Sequence, residues 1–98
     1  MTTEPIITFK NPAIVDWLHH KGIKGKHIDY VTPQDIAHKH VFGHIPMWLA
    51  VFADKISEIS VPGLTPPERE RFNKGQITVQ ELDAAGAYVA TYQVRPVS

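Results

Sequence analysis

Gly43-His44-Ile45-Pro46, followed at once by Met47-Trp48-Leu49-Ala50-Val51-Phe52-Ala53, decides how this chain is read. His40 to His44 predicts a strand. A tight loop then carries an imidazole, and Pro46 opens a helix. Proline suits the first helical position because the N–H it lacks would be unpaired there anyway. A helix start leaves backbone N–H groups pointing outward with a partial positive charge behind them, a ready pocket for an anion and most often a phosphate. The same layout occurs earlier: Ile6-Ile7-Thr8-Phe9 reads as a strand, Lys10-Asn11 as a loop, and Pro12 as first helical residue. Two such pockets in a chain of 98 residues point to a phosphate-bearing ligand.

Working outward, Asn11 caps a first helix over Pro12 to about Lys21, and Gly22 ends it. Ile14, Val15 and Leu18 share one face of that helix, flanked by Trp17. A second strand spans His27 to Val31. One helical turn is expected around Pro33-Gln34-Asp35-Ile36. The helix from Pro46 extends to about Ser57, with Trp48, Leu49, Phe52, Ala53 and Ile56 on one face. Glu58 to Val61 forms a fourth strand. Pro62 to Pro67 is rich in turn formers and leads into a charged segment, Glu68-Arg69-Glu70-Arg71. Thr78 and Glu81 make a capping box for a helix to about Ala85, ended by Gly86. Ala87 to Val94 is the last and longest strand. Alternating strands and helices predict an α/β fold: a predominantly parallel sheet of four to five strands with helices on both faces, in one domain over residues 1–98. If the second and third strands flank the first, the loops after the first and third strands meet at a topological switch point, where open α/β sheets bind ligands.

Ten basic and ten acidic residues give a formal net charge of zero. That balance argues against a protein that coats long nucleic acid. With no cysteine, disulfides and thiolate metal sites are excluded, as expected in a cytoplasmic protein. The start Met1-Thr2-Thr3-Glu4-Pro5 is polar, unlike a signal peptide, and no apolar run is long enough to span a bilayer.

At the predicted crevice, Lys10 offers a point charge and Asn11 an amide, although a helix cap alone explains Asn11. His44 can give a proton to a leaving oxygen, since histidine titrates near neutrality, and Gly43 lets another backbone approach closely. Its plainer reading is a loop histidine with a structural hydrogen bond. Arg69 could fork onto a phosphate from the proline-rich loop, or belong to a salt-bridged turn. His38-Lys39-His40 and His19-His20 suggest metal clusters, but neighbouring histidines diverge and no third ligand stands by. They read as solvated, and neither metal nor cofactor is expected. Trp17, Trp48 and Phe52 read as core. Tyr88, Tyr92 and Val94 alternate along an edge strand that could pair with a second subunit.

Lys10-Asn11-Pro12-Ala13-Ile14-Val15-Asp16-Trp17-Leu18, Gly43-His44-Ile45-Pro46-Met47-Trp48-Leu49-Ala50, Leu64-Thr65-Pro66-Pro67-Glu68-Arg69, and Thr78-Val79-Gln80-Glu81-Leu82 with Gly86 occur in this order. Together they resemble the small accessory proteins of type III CRISPR systems, which look like ring nucleases of Rossmann-like fold. The glycine-x-aliphatic-proline loop is the most specific part. At the first loop, relatives often carry threonine-arginine-histidine before the proline. This chain has Phe9-Lys10-Asn11, which keeps the charge, lacks one proton-transfer group and moves weight to His44. The resemblance implies a homodimer that binds a cyclic oligoadenylate second messenger and cleaves it, ending an antiviral signal; because the linkage carries its own 2′-hydroxyl nucleophile, cleavage is expected to need no metal. Lys10, Asn11 and His44 would be catalytic. Gly43, Ile45, Pro46 and Arg69 would contact the ligand. A non-catalytic cyclic-nucleotide-binding module is the first alternative, and a protein–protein adaptor the second.

Overall fold

A computed structural model describes residues 4–97. The polar start read at Met1-Thr2-Thr3 lies outside them. The chain forms two compact units. One comprises residues 4–9, 24–58 and 90–97, and the other residues 10–23 and 59–89.

The first unit is built on a sheet. Its strands are β1 (Ile6–Ile7), β2 (Lys26–His27), β3 (His40–Phe42), β4 (Lys55–Ser60), which leaves the unit after Glu58, and β5 (Tyr88–Tyr92), which enters it at Ala90. The order is β2-β1-β3-β4-β5 in a mixed, mostly parallel sheet. β1 pairs in parallel with β2 and with β3, setting Ile6 opposite Val41 and Ile7 opposite Phe42. β3 pairs in parallel with β4, setting Val41 opposite Ile56. The second and third strands flank the first, which fulfils the condition for a switch point between β1 and β3. Two short helices, α2 (Pro33–Ile36) and α3 (Met47–Ala50), connect the strands of this unit. The core gathers Ile6, Ile36, Val41, Leu49, Ala50 and Ile56. Burying each of the larger aliphatic chains contributes about 1.5–3 kcal/mol. α2 carries the capping box Thr32–Asp35, and the backbone N–H of Thr32 holds the Asp35 carboxyl below its ordinary range.

The helix expected from Pro46 to Ser57 is corrected. It has one turn, Met47–Ala50, with Pro46 as its N-cap. Phe52 N–H and Ala53 N–H then make tight turn bonds to Leu49 and Ala50 carbonyls. His38 N–H donates to Phe52 C=O and Asp54 N–H to Lys39 C=O, hooking the chain back so that β4 begins at Lys55. Ile56 satisfied the helical period, yet the pairing with β3 takes it instead, a tertiary override of local pattern. Trp48 and Phe52 are corrected with it: they stay 65% and 47% exposed. β1, β2 and β3 are each shorter than expected.

The second unit is helical. It holds α1 (Pro12–His20), α4 (Pro66–Asn73) and α5 (Val79–Ala84). Trp17, Leu18, Ile14, Ile77 and Leu82 are buried, and Trp17 Nε1–H donates to Asp83 Oδ1 at 2.8 Å. That bond, with Lys21 3.1 Å away, lowers the Asp83 pKa. α1, α4 and α5 end alike, at Gly22, Gly75 and Gly86 with φ of 79°, 70° and 81°. In each case the glycine and its successor donate back to the last turn, the paired bonds of a Schellman ending. The charged segment after Pro67, read as a turn, is the helix α4, capped by Thr65 with Glu68 in a second capping box.

Arg71 on α4 forks onto Glu81 of α5 through two hydrogen bonds, of 3.0 and 2.6 Å. The guanidinium is the main cause that pulls the Glu81 pKa down to about 2, with the Thr78 N–H helping. A depressed carboxylate stabilises the fold fully above the ordinary value of 4.5, and that contribution is lost as pH falls toward about 2. Melting temperature should therefore drop from pH 5 to pH 2, and Glu81→Gln should flatten that slope. An unchanged slope in the variant would assign the acid sensitivity elsewhere.

Candidate functional site

The carboxyl ends of β1 and β3 lie side by side in the first unit. Thr8 N–H donates to Phe42 C=O at 2.9 Å and Gly43 N–H to Ser57 C=O at 3.0 Å, which extends the register one residue beyond each strand. His27 Nε2–H donates to Phe9 C=O at 2.8 Å, pinning the end of the first loop. A carbonyl only accepts, so this bond fixes the His27 tautomer. A Cβ on Gly43 would overlap the Thr8 hydroxyl, so this close approach favours glycine there.

His44 comes next. Its ring meets Phe9 edge-on, with centroids 5.4 Å apart and planes at 82°. Its Nδ1 lies 3.3 Å from Glu58 Oε1. The imidazole is 66% exposed and so open to a ligand. Phe9 is buried and gives it a fixed wall. Nδ1 thus faces the Glu58 carboxylate, and Nε2 is the ring nitrogen left for a reacting partner. Ile45 packs against the core of the unit, and Pro46 caps the single turn of α3. Leu49 and Ala50 N–H groups both bond Pro46 C=O. One turn supplies little dipole, so the anion pocket expected at this helix start is corrected.

The other expected pocket is filled from within. Pro12 has no N–H. The Asn11 side chain accepts from Ala13 N–H at 3.0 Å, and Ile14 and Val15 N–H both reach Asn11 C=O. Asn11 Nδ2–H also donates to Phe72 C=O at 2.8 Å. Both ends of the amide are engaged in tying α1 to the end of α4, so Asn11 acts through position. Asn11→Ala should cost about 0.5–2 kcal/mol in denaturant unfolding through the lost cap alone, while Asn11→Asp keeps the acceptor and loses only the bond to Phe72. Equal stability of all three proteins would remove this role. Lys10, exposed, is the chain neighbour of Phe9 and opens the second unit. Arg69 lies on α4 and donates to Val61 C=O at 3.4 Å.

Sequence reasoning missed Glu58 and a chain of polar side chains centred on the buried Ser57. His40 Nε2 lies 2.6 Å from Ser57 Oγ, which lies 2.8 Å from Thr91 Oγ1. Ser57 is wholly buried. His40, read as solvated, is half-buried and stacked on Phe42 with centroids 4.3 Å apart. Burial lowers its pKa, with Lys55 adding to the effect. His19 and His20 remain exposed at the end of α1.

No family model, no curated protein and no solved structure matches this chain. Among the described residues, no helix is long and apolar enough to cross a membrane.

Proposed function

We propose that this chain is a ring nuclease of Rossmann-like fold that opens cyclic oligoadenylates without a metal and ends a type III CRISPR signal, working as a homodimer. The observation that carries the reading is His44 standing against Phe9 where β1 and β3 end side by side. With β2 beyond β1 on the other side, this is the position at which strand order reverses and ligands bind in open α/β sheets. The residues quoted above for the resemblance supply the substrate class.

The chemistry needs little from the protein. A 3′–5′ ribonucleotide link carries its own nucleophile. The 2′-hydroxyl gives its proton to solvent water as its oxygen attacks phosphorus, the bond from phosphorus to the 5′-oxygen breaks, and the leaving oxygen takes a proton from His44. The products are a 2′,3′-cyclic phosphate and a 5′-hydroxyl. Holding the ribose and phosphate in line makes the attack nearly unimolecular. The resemblance implies Lys10 as the cation for the phosphate; the amides of α1 are already taken by its cap.

That capping favours a second reading, a sequestering module that binds the ring and leaves it intact. Incubation with a panel of cyclic oligonucleotides in excess chelator, followed by chromatography, separates the two. Linear products with cyclic phosphate ends are expected. Intact ring after long incubation, with a raised melting temperature, would establish sequestration instead.

A further inference from the structure

Beside His44, the first unit has an open groove of about 480 Å³ on the α3 side of the sheet. Such a volume suits a small ligand. Ile45, Met47, Ile56 and Val94 give it an apolar lining, and Glu58 and Arg95 bring charges to it. Met47 and Tyr92 line it too, yet remain 79% and 53% exposed. Large apolar side chains left open around one concavity mark a surface that a ligand covers.

The polar groups narrow the ligand. Glu58 as a carboxylate only accepts, so it selects a ligand edge that bears N–H donors. Arg95 Nη2–H donates to Gln93 Oε1 at 3.3 Å, which leaves the Gln93 amide N–H groups to meet an acceptor. An apolar flat body with a donor and an acceptor on its edge describes a nucleobase that carries an exocyclic amine. Uracil, whose corresponding edge position is a carbonyl, meets Glu58 with the wrong sign. Glu58 also stands 3.3 Å from His44 Nδ1, so one side chain borders both groove and imidazole.

We infer that this groove seats the amine-bearing base of a nucleotide whose phosphate lies at His44, and that Glu58 selects the base. The inference rests on the nuclease reading for the phosphate, but not for the base. The test is an NMR titration of the full chain with adenosine 5′-monophosphate, uridine 5′-monophosphate and ribose 5-phosphate. Methyl resonances of Ile45, Met47 and Val94 should shift saturably with the adenine nucleotide and little with the other two. Tyr92→Ala, at an exposed position, should weaken that response at least about fivefold, the low end for loss of one stacking contact, and Met47→Ala should weaken it less. Glu58→Gln, whose amide both donates and accepts, should narrow the gap between adenine and uracil. Equal shifts with ribose 5-phosphate, or none at these methyls, would overturn the groove. A groove response without ring opening leaves the base site standing and removes the nuclease reading. Ring opening with no base-dependent shift does the reverse.

Discussion

Gly43→Ala should destabilise the protein by about 1–3 kcal/mol, the usual cost of forcing an extra methyl into packed structure. The added carbon would overlap Thr8 Oγ1 and stand 3.1 Å from Thr8 Cβ. Rotation of the threonine moves the hydroxyl but not Cβ, and Thr8 is itself buried. Backbone movement is resisted as well. Gly43 N–H is held by Ser57 and Thr8 N–H by Phe42, so separating the two loops breaks the continuation of the β1–β3–β4 register. Thr8→Ala in the same chain removes the overlapping oxygen and leaves only the tighter carbon contact. It should recover most of the loss. Urea unfolding of the parent, both single variants and the double variant gives the coupling directly. A Gly43→Ala protein as stable as the parent, or a Thr8→Ala change that restores nothing, would show that the loops are not locked at this point. The functional counterpart follows from the neighbouring residue: displaced by the same methyl, His44 loses its fixed position against Phe9.

The loop was legible because its residue types are each constrained by backbone chemistry. Gly43 marks a close approach, Pro46 a helix boundary, and Asn11, Gly22, Thr78, Glu81 and Gly86 a set of caps whose partners lie within a few residues. The mostly parallel pairing followed from alternation, whereas the order of the strands did not. What failed depended on distant partners. Leu49, Phe52 and Ile56 keep helical spacing, but Ile56 is claimed by Val41 across the sheet, and no local rule reveals that competitor. Trp48 and Phe52 went wrong for the same reason, since a face exists only while its helix continues. Glu58 became visible as a neighbour of His44 only once β4 was known to start at Lys55. The charge of Glu58 alone carried no such signal. α4 is a different case. Thr65-Pro66-Pro67-Glu68 holds the same cap-to-glutamate spacing as Thr78 to Glu81, with proline at the first helical position. The signal was present and the prolines outweighed it, although proline in a first turn favours a helix.

His44→Ala should lower ring cleavage about 10²–10⁴-fold, the range for losing a general acid, while changing ligand binding only a few-fold. The split follows from where the proton is needed. Ground-state phosphodiester oxygens carry no proton, and an imidazole contributes to holding them only as one polar neighbour. In the transition state the 5′-oxygen gains negative charge as its bond to phosphorus breaks, and a donor at that atom is worth most there. Folding should hardly notice. His44 is exposed and its contacts are an edge-on ring and a carboxylate partly open to solvent, so a stability change within about 0.5 kcal/mol is expected. Single-turnover cleavage, measured beside equilibrium binding and melting, therefore separates chemistry from structure. Substrates with a better leaving group in place of the 5′-oxygen sharpen the result: they need no proton, so they should be cleaved by parent and variant at nearly the same rate. A variant that still cleaves the natural ring as the parent does would remove His44 from the reaction. A variant that fails equally on both substrates would give His44 a part in binding or alignment, and another group would have to protonate the leaving oxygen.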